Sequence, residues 1–224
     1  MSLRDLEREL GRKFARLATN AVVSRPGLWR AFRGPIRRQF DRLAPRWDAM
    51  RSEDAFAALQ QALDSLPQPP ARVLDLGTGT GLAAFLLARR FPEAEVIGVD
   101  VAERMIEAAR RNTPPELAGR VRFEQADATE LPYEDGAFEL VSLANMIPFF
   151  GELARVTAPG GAAVFSFSGG PDTPIWVPPE RLRSELEPLG LRILRTFKPA
   201  AGLRFLPAKA LGVNLLGQRT FAAR

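Results

Sequence analysis

The sequence predicts an α/β fold, a parallel sheet wrapped by crossover helices, with a helical cap ahead of it. Three observations carry that prediction. Short apolar runs of strand length recur at 72–76, 95–99, 121–125, 138–143 and 162–167. Segments with helical patterning lie between them at about 81–91, 102–112 and 149–157, and the connections are long enough for right-handed crossovers. The first run also enters Gly77-Thr78-Gly79-Thr80-Gly81, a glycine-rich turn from which a helix starts at once.

In chain order, Leu3, Leu6, Leu10, Phe14 and Leu17 recur at helical spacing with Arg4, Arg8, Arg12 and Arg16 between them, an amphipathic helix. Pro26-Gly27 should break it. A second apolar series at Trp29, Phe32, Ile36 and Phe40 should be interrupted by Gly34-Pro35 and closed near Pro45. Residues 1–48 are therefore expected to form a helical cap, and 49–224 the main domain. A further helix is expected from Ser52 or Glu53 to Leu66, where Pro67-Gln68-Pro69-Pro70 stops it. After the five parallel strands, Pro179–Leu189 reads as a helix and Leu191–Phe197 as a strand. Gln218–Ala222 reads as a last strand that returns antiparallel beside it.

The 224 residues are 46% hydrophobic and 25% charged, enough for one globular domain with a small appendage. Cysteine and histidine are both zero. That excludes disulfide scaffolds, zinc sites built on sulfur or imidazole and every His-dependent triad, so no metal site is expected. No apolar run approaches the ~20 residues of a membrane span, and the first residues lack an apolar signal sequence, so the expected compartment is the cytoplasm. Charge is uneven: residues 1–51 carry +8, and 52–224 carry −3. A basic arm of this kind can meet phosphate in RNA or at a membrane surface, or it can be a solvated face. The arm is expected to be a lid on the core. Its stripes are broken at two Pro-Gly pairs, and kinked short helices wrap a core more readily than they lie on a bilayer. Peripheral contact with a membrane stays open.

The chemistry gathers at the strand ends. Gly79-Thr80-Gly81-Leu82-Ala83-Ala84 satisfies a dinucleotide-binding pattern, and Asp100 follows Gly79 by 21 residues, placed to accept hydrogen bonds from ribose hydroxyls. Asp75, just ahead of the glycines, would repel a pyrophosphate and attract an ammonium. Asp127 closes the third strand, where it can accept from an adenine amine. Each feature alone has an ordinary structural reading as a turn or a strand-end residue.

Together Val73–Gly81, Val96-Ile97-Gly98-Val99-Asp100, Ala126-Asp127-Ala128 and Arg155–Gly161 resemble the class I S-adenosylmethionine-dependent methyltransferases. Leu131-Pro132-Tyr133 and Phe138–Val141 add likeness to the small-molecule, quinone-biosynthesis branch. The resemblance covers about residues 50–197 and implies a Rossmann-like, seven-stranded, mostly parallel sheet with helices on both faces and an antiparallel last strand. It implies S-adenosylmethionine as cofactor. Gly77, Thr78, Gly79 and Gly81 would lie under its methionine part, Asp75 near its ammonium and Asp100 at the ribose. Val101 would pack on adenine, Asp127 and Ala128 would read the adenine edge, and Leu143, Ala144 and Asn145 would border the sulfonium. Asn145-Met146-Ile147-Pro148 is not the Asn-Pro-Pro-Tyr type of motif found in amino-methylating nucleic-acid enzymes, so no nucleic-acid partner is expected.

The expected function is methyl transfer to a small, apolar or aromatic molecule. Phe40, Arg46, Trp47 and Met50 are expected to close the site, Trp47, Met50 and Asn145 to touch the acceptor, and Trp176 to line the opposite wall. No spacing supports a catalytic base among Asp41, Asp48, Tyr133 and Glu134, and none is assigned. A nicotinamide-dependent oxidoreductase, an RNA-directed enzyme and a non-catalytic S-adenosylmethionine-binding protein remain the alternatives.

Overall fold

A computed structural model describes residues 3–50, 56–167, 170–197 and 213–219. The parallel core of the sheet consists of β1 (Arg72–Leu76), β2 (Glu95–Asp100), β3 (Val121–Gln125), β4 (Phe138–Ala144) and β5 (Thr157–Phe167). Beyond β5, β7 (Val213–Arg219) pairs antiparallel with it and β6 (Leu191–Phe197) pairs antiparallel with β7, giving the order β3-β2-β1-β4-β5-β7-β6. The order reverses at β1, between β2 and β4. That is where an open α/β sheet leaves a crevice at its strand ends. The last strand lies earlier than the expected 218–222, and 220–222 fall outside the described residues. β5 starts at Thr157 rather than 162, because Gly160, at φ +79, lets Pro159-Gly160-Gly161 sit as an irregularity within the strand.

Alternation along the strands sorts two hydrophobic layers. Leu74, Leu76, Ile97, Val99, Val141, Leu143, Ala163 and Phe165 face a layer containing α6 (Phe150–Val156), α7 (Pro179–Leu186) and the N-terminal helices. Val73, Val96, Leu140, Ala162 and Val164 face the other, with α3 (Ala57–Leu63), α4 (Leu82–Arg90) and Ile106 and Ala109 of α5 (Glu103–Arg111). The helix expected to start at Ser52 or Glu53 is described only from α3, since 51–55 lie outside the described residues. The segment expected to continue as helix to Leu189 closes instead with a 3₁₀ turn, Glu187–Leu189.

The N-terminal segment departs further from expectation. α1 (Leu3–Ser24) ends just before Pro26, which disfavours helix in the residue ahead of it. α2 (Trp29–Leu43) runs straight through Gly34-Pro35. Pro35 lacks an N–H, but Trp29 and Ile36, on either side of it, are both buried in the core and hold the two halves in line. The leucine row of α1 does not pack inward. Leu6, Leu10 and Leu17 are 40%, 57% and 62% exposed, while Ala18, Thr19, Val22 and Val23 are buried. Contacts distant in sequence set this rotation. Phe14 packs on Phe32 at 5.9 Å, and Arg12 and Arg16 donate to the main-chain carbonyls of Pro171, Asp172, Thr173 and Trp176.

Gly98 keeps β2 and β3 in register beneath the glycine turn. A Cβ there would stand 2.6 Å from both Phe123 Cδ1 and Thr78 Oγ1. Gly98→Ala is expected to destabilise the fold by about 1 to 3 kcal/mol through overpacking. Urea denaturation checks this, and an unchanged midpoint would contradict the packing.

Candidate functional site

At the end of β1 the chain turns through Gly77, Gly79 and Gly81, all at positive φ (68°, 57° and 90°). Two hydrogen bonds fix the turn: Thr78 N–H donates to the Val99 carbonyl at 2.9 Å, and Gly81 N–H donates to the Thr78 carbonyl at 3.0 Å. The three glycines serve different ends. At Gly81 a Cβ would meet Phe123 at 2.7 Å and Phe85 at 2.9 Å, so packing demands glycine. At Gly77 it would meet Met146 at 2.9 Å, and at Gly79 it would stand 3.1 Å from Trp47 Nε1. Those two open toward a cavity.

Asp100, at the end of the adjacent strand, holds the turn in place. Its Oδ2 accepts from Gly79 N–H at 3.0 Å and its Oδ1 from Ala102 N–H at 2.9 Å. Burial pushes its carboxyl up to about 6, against the lowering effect of these backbone donors and with some help from the charge of Asp41.

The cavity lies over this turn, between the strand ends and the N-terminal helices. Gly77, Gly79, Asp100, Val101, Ala128 and Asn145 line it, as do Trp47 and Phe40. Asn145 is the single non-glycine at positive φ among the described residues (57°), with its N–H bonded to the Ser166 carbonyl at 2.8 Å. Such a conformation recurs at functional sites. Apart from Gln39, the rest of the wall is apolar and comes largely from residues that spacing did not assign to the site: Phe14, Trp29 and Ile36 from the arm, Met146, Ile147 and Phe149 after β4, and Ile175.

Other expected site residues lie elsewhere. Asp75 is 1% exposed within β1, in register between Gly98 and Ser142, and Thr78 and Leu143 are buried in the core. Trp176 packs edge-on against Phe167, and its neighbour Ile175 reaches the cavity instead. Met50 ends a 3₁₀ turn, Asp48–Met50, and its side chain is not among those described. Of the carboxylates considered as a base, Asp48 is bonded to Thr80 Oγ1 and Asn112, and Asp41 to the Arg104 N–H. Tyr133 donates to Glu124 and packs on Phe138.

Asp127 shows the clearest departure. It closes the third strand as expected, but the arm already engages it: Trp29 Nε1 donates to both oxygens, at 2.9 and 3.1 Å, and Arg33 to Oδ2 at 3.0 Å. Thr129 donates its N–H and hydroxyl to Oδ1. Burial pushes this carboxyl up, yet the donors together hold it below the usual range. Trp29 stood out in the sequence only as part of an apolar stripe. Nothing local linked its indole to an aspartate 98 positions away.

Residues 73–161 match the family model described as a methyltransferase domain. The match spans the glycine turn, Asp100, Asp127 and Asn145. The cofactor that goes with this match is S-adenosylmethionine. The chain is similar to demethylmenaquinone methyltransferase from Thermus thermophilus, 44% identical over 56% of this chain and 62% of that protein. It is also similar to malonyl-[acyl-carrier protein] O-methyltransferase from Halorhodospira halophila, 42% identical over 62% of this chain and 49% of the relative. The chain thus spans about half to three-fifths of these relatives' lengths. A solved structure described as a SAM-dependent methyltransferase from Aquifex aeolicus shares the fold, with a TM-score of 0.63, at 16% identity over 79% of this chain and 98% of that one.

The raised Asp100 pKa gives two opposed pH effects. The folded value lies above the ordinary 3.8, so the fold binds the proton more tightly, and this group's contribution to stability is lost as pH rises from about 4 to about 6. Ribose hydroxyls donate best to the ionised form, so S-adenosylmethionine should bind more weakly below about pH 6. Asp100→Asn should flatten that profile and lower affinity at least about tenfold at pH 8, the loss of charge-assisted bonds worth about 1.5 to 3 kcal/mol each. Calorimetric titration from pH 5 to pH 8 checks both, and a pH-independent wild type would contradict the assignment.

Proposed function

We propose that this chain transfers a methyl group from S-adenosylmethionine to a small, uncharged, aromatic acceptor of the quinol kind. The observation that carries the reading is the cavity itself. A glycine cradle and one carboxylate form its floor, and Trp, Phe, Met and Ile side chains form most of its walls, with Gln39 and Asn145 the uncharged polar side chains among them. Among its described lining residues there is no arginine or lysine. Of the two acceptor types named for the relatives, a demethylmenaquinone ring suits such walls. A malonyl carboxylate would be buried without a cation, which is costly.

The residues fit the cofactor. Gly77 and Gly79 leave room where any side chain would strike Met146 or Trp47, which suits close approach of the methionine part, and Asp100, a carboxylate beside this cradle, would accept from the ribose hydroxyls. Val101 and Ala128 would border the adenine, with Gly81, Thr78, Leu143 and Asp75 supporting the turn and strands from behind. The cofactor supplies a methyl group on a sulfonium that is already an activated leaving group. The chain's part is to align the acceptor and exclude water from it. Trp47, Phe40 and Phe149 would stack or edge against an aromatic ring, and Asn145 would orient its polar substituent. No carboxylate other than Asp100 lines the described cavity, so a nucleophile needing little base assistance, such as an electron-rich ring carbon, fits best.

We propose further that residues 1–48 act as the lid. The Trp29 and Arg33 bonds to Asp127 would hold it shut over the cavity, and an adenine amine reaching Asp127 must replace one of these donors, since the carboxylate's lone pairs are already in use.

Incubation with radiolabelled S-adenosylmethionine tests the acceptor class. Label should pass to a reduced demethylnaphthoquinone and not to malonyl-acyl carrier protein, and the reverse pattern would overturn the reading. The lid has its own test. The Arg33–Asp127 pair is partly exposed, with the Arg33 side chain 56% accessible, so its loss should matter modestly. Arg33→Ala is expected to tighten S-adenosylmethionine binding roughly twofold to fivefold. Weaker binding in that variant would mean that the clasp supports the adenine site rather than competing with it.

A further inference from the structure

We propose that the outer face of α1 docks the protein onto an anionic lipid surface. The proposal goes beyond the methyl-transfer reading and does not depend on the acceptor. Five large hydrophobic side chains are exposed among the described residues, and four of them, Leu6, Leu10, Leu17 and Leu28, lie in the first 28 positions. At 100° per residue, Leu6, Leu10 and Leu17 fall within an arc of about 40°. They form one row along an unbroken helix of 22 residues. Pro26 ends this helix as expected, but Gly34-Pro35 does not break α2, so the arm is two long helices rather than a set of short kinked pieces.

The helix has two faces with different tasks. Ala15, half a turn from Leu6, lines the cavity with Phe14, and the leucine row points away from the protein. Nothing in the core depends on those leucines.

Charge identifies the occupant. Residues 1–51 carry +8. Lys13 stands on the same side as the leucine row, its side chain 71% exposed and offset in part by Glu9. Arg25, Arg30, Arg37, Arg38 and Arg42 are exposed and make no ion pair with a described residue. A leucine row beside an excess of cations is what an interfacial helix needs: the apolar face enters the headgroup boundary while the cations meet lipid phosphates. A second copy on the same face would bring two such arms together against their repulsion. RNA would use the cations and leave the leucines in water. Docked this way, α1 would place the cavity beside the bilayer, where apolar molecules dissolve.

Flotation of the intact chain with vesicles of equal parts phosphatidylglycerol and phosphatidylcholine tests the proposal. Binding is expected on these vesicles, weaker on phosphatidylcholine alone, and falling as salt rises. Leu10→Ser with Leu17→Ser should lower partitioning at least about tenfold without altering charge, since each leucine contributes several buried carbon groups. Circular dichroism and S-adenosylmethionine titration should be unchanged in that variant, which separates this test from failure of the cofactor reading. Absence of binding to the anionic vesicles, or equal partitioning of the variant, would overturn the proposal. So would a concentration-dependent dimer of the wild-type chain that the variant abolishes, because the row would then be an interface between copies.

Discussion

The carboxylate of Asp100 is the tie on which the site depends. It stands at the end of β2 and accepts one N–H from the glycine turn after β1 and one from the start of α5, so three consecutive pieces of the sheet edge are fixed by one side chain. A backbone that turns through positive φ three times in five residues has few bonds of its own. The Asp100 bond to Gly79 and the Thr78 bond to Val99 supply what the turn lacks, both from the neighbouring strand. Burying a carboxylate to do this pushes its pKa up, and the same desolvation strengthens any hydrogen bond it accepts.

Above that floor, the walls come from two parts of the chain that meet only in three dimensions. The segment after β4 brings Met146 down onto Gly77 and turns Phe149 toward Trp29, which it meets edge-on at 5.1 Å. The arm brings Trp29 to Asp127 and Trp47 to Gly79, with Phe40 edge-on against Trp47 at 5.4 Å. Aromatic edges and sulfur are soft contacts that can rearrange at modest cost, which suits a roof that has to admit a ligand. The core beneath offers no such freedom: Leu74, Ile97, Val141 and Phe165 are fully enclosed.

The arm also shows how one helix can serve two environments. Small residues, Ala15 and Ala18, let the inner side of α1 come close to the rest of the molecule, and the aliphatic bulk is placed on the outer side. A helix positioned only by burial of its largest side chains would be turned the other way. Here Arg12 and Arg16 act with Phe14 against that rotation, each arginine bonding carbonyls of a loop more than 150 positions away.

Much of this protein could be read from local pattern. The parallel strands follow from short β-rich apolar runs, the cradle from three glycines directly after the first of them, and the tie from an acid at the end of the second. These are demands of backbone geometry and of neighbouring residues, so spacing alone expresses them. The tertiary structure decided what spacing does not carry. It turned the α1 leucines outward, carried α2 through Pro35, gave Asp127 to Trp29 and Arg33, and chose Ile175 over Trp176 for the cavity wall. Each of these outcomes depends on how a side chain meets a segment far away in sequence, and a helical period has the same form whichever of its faces the rest of the chain comes to cover.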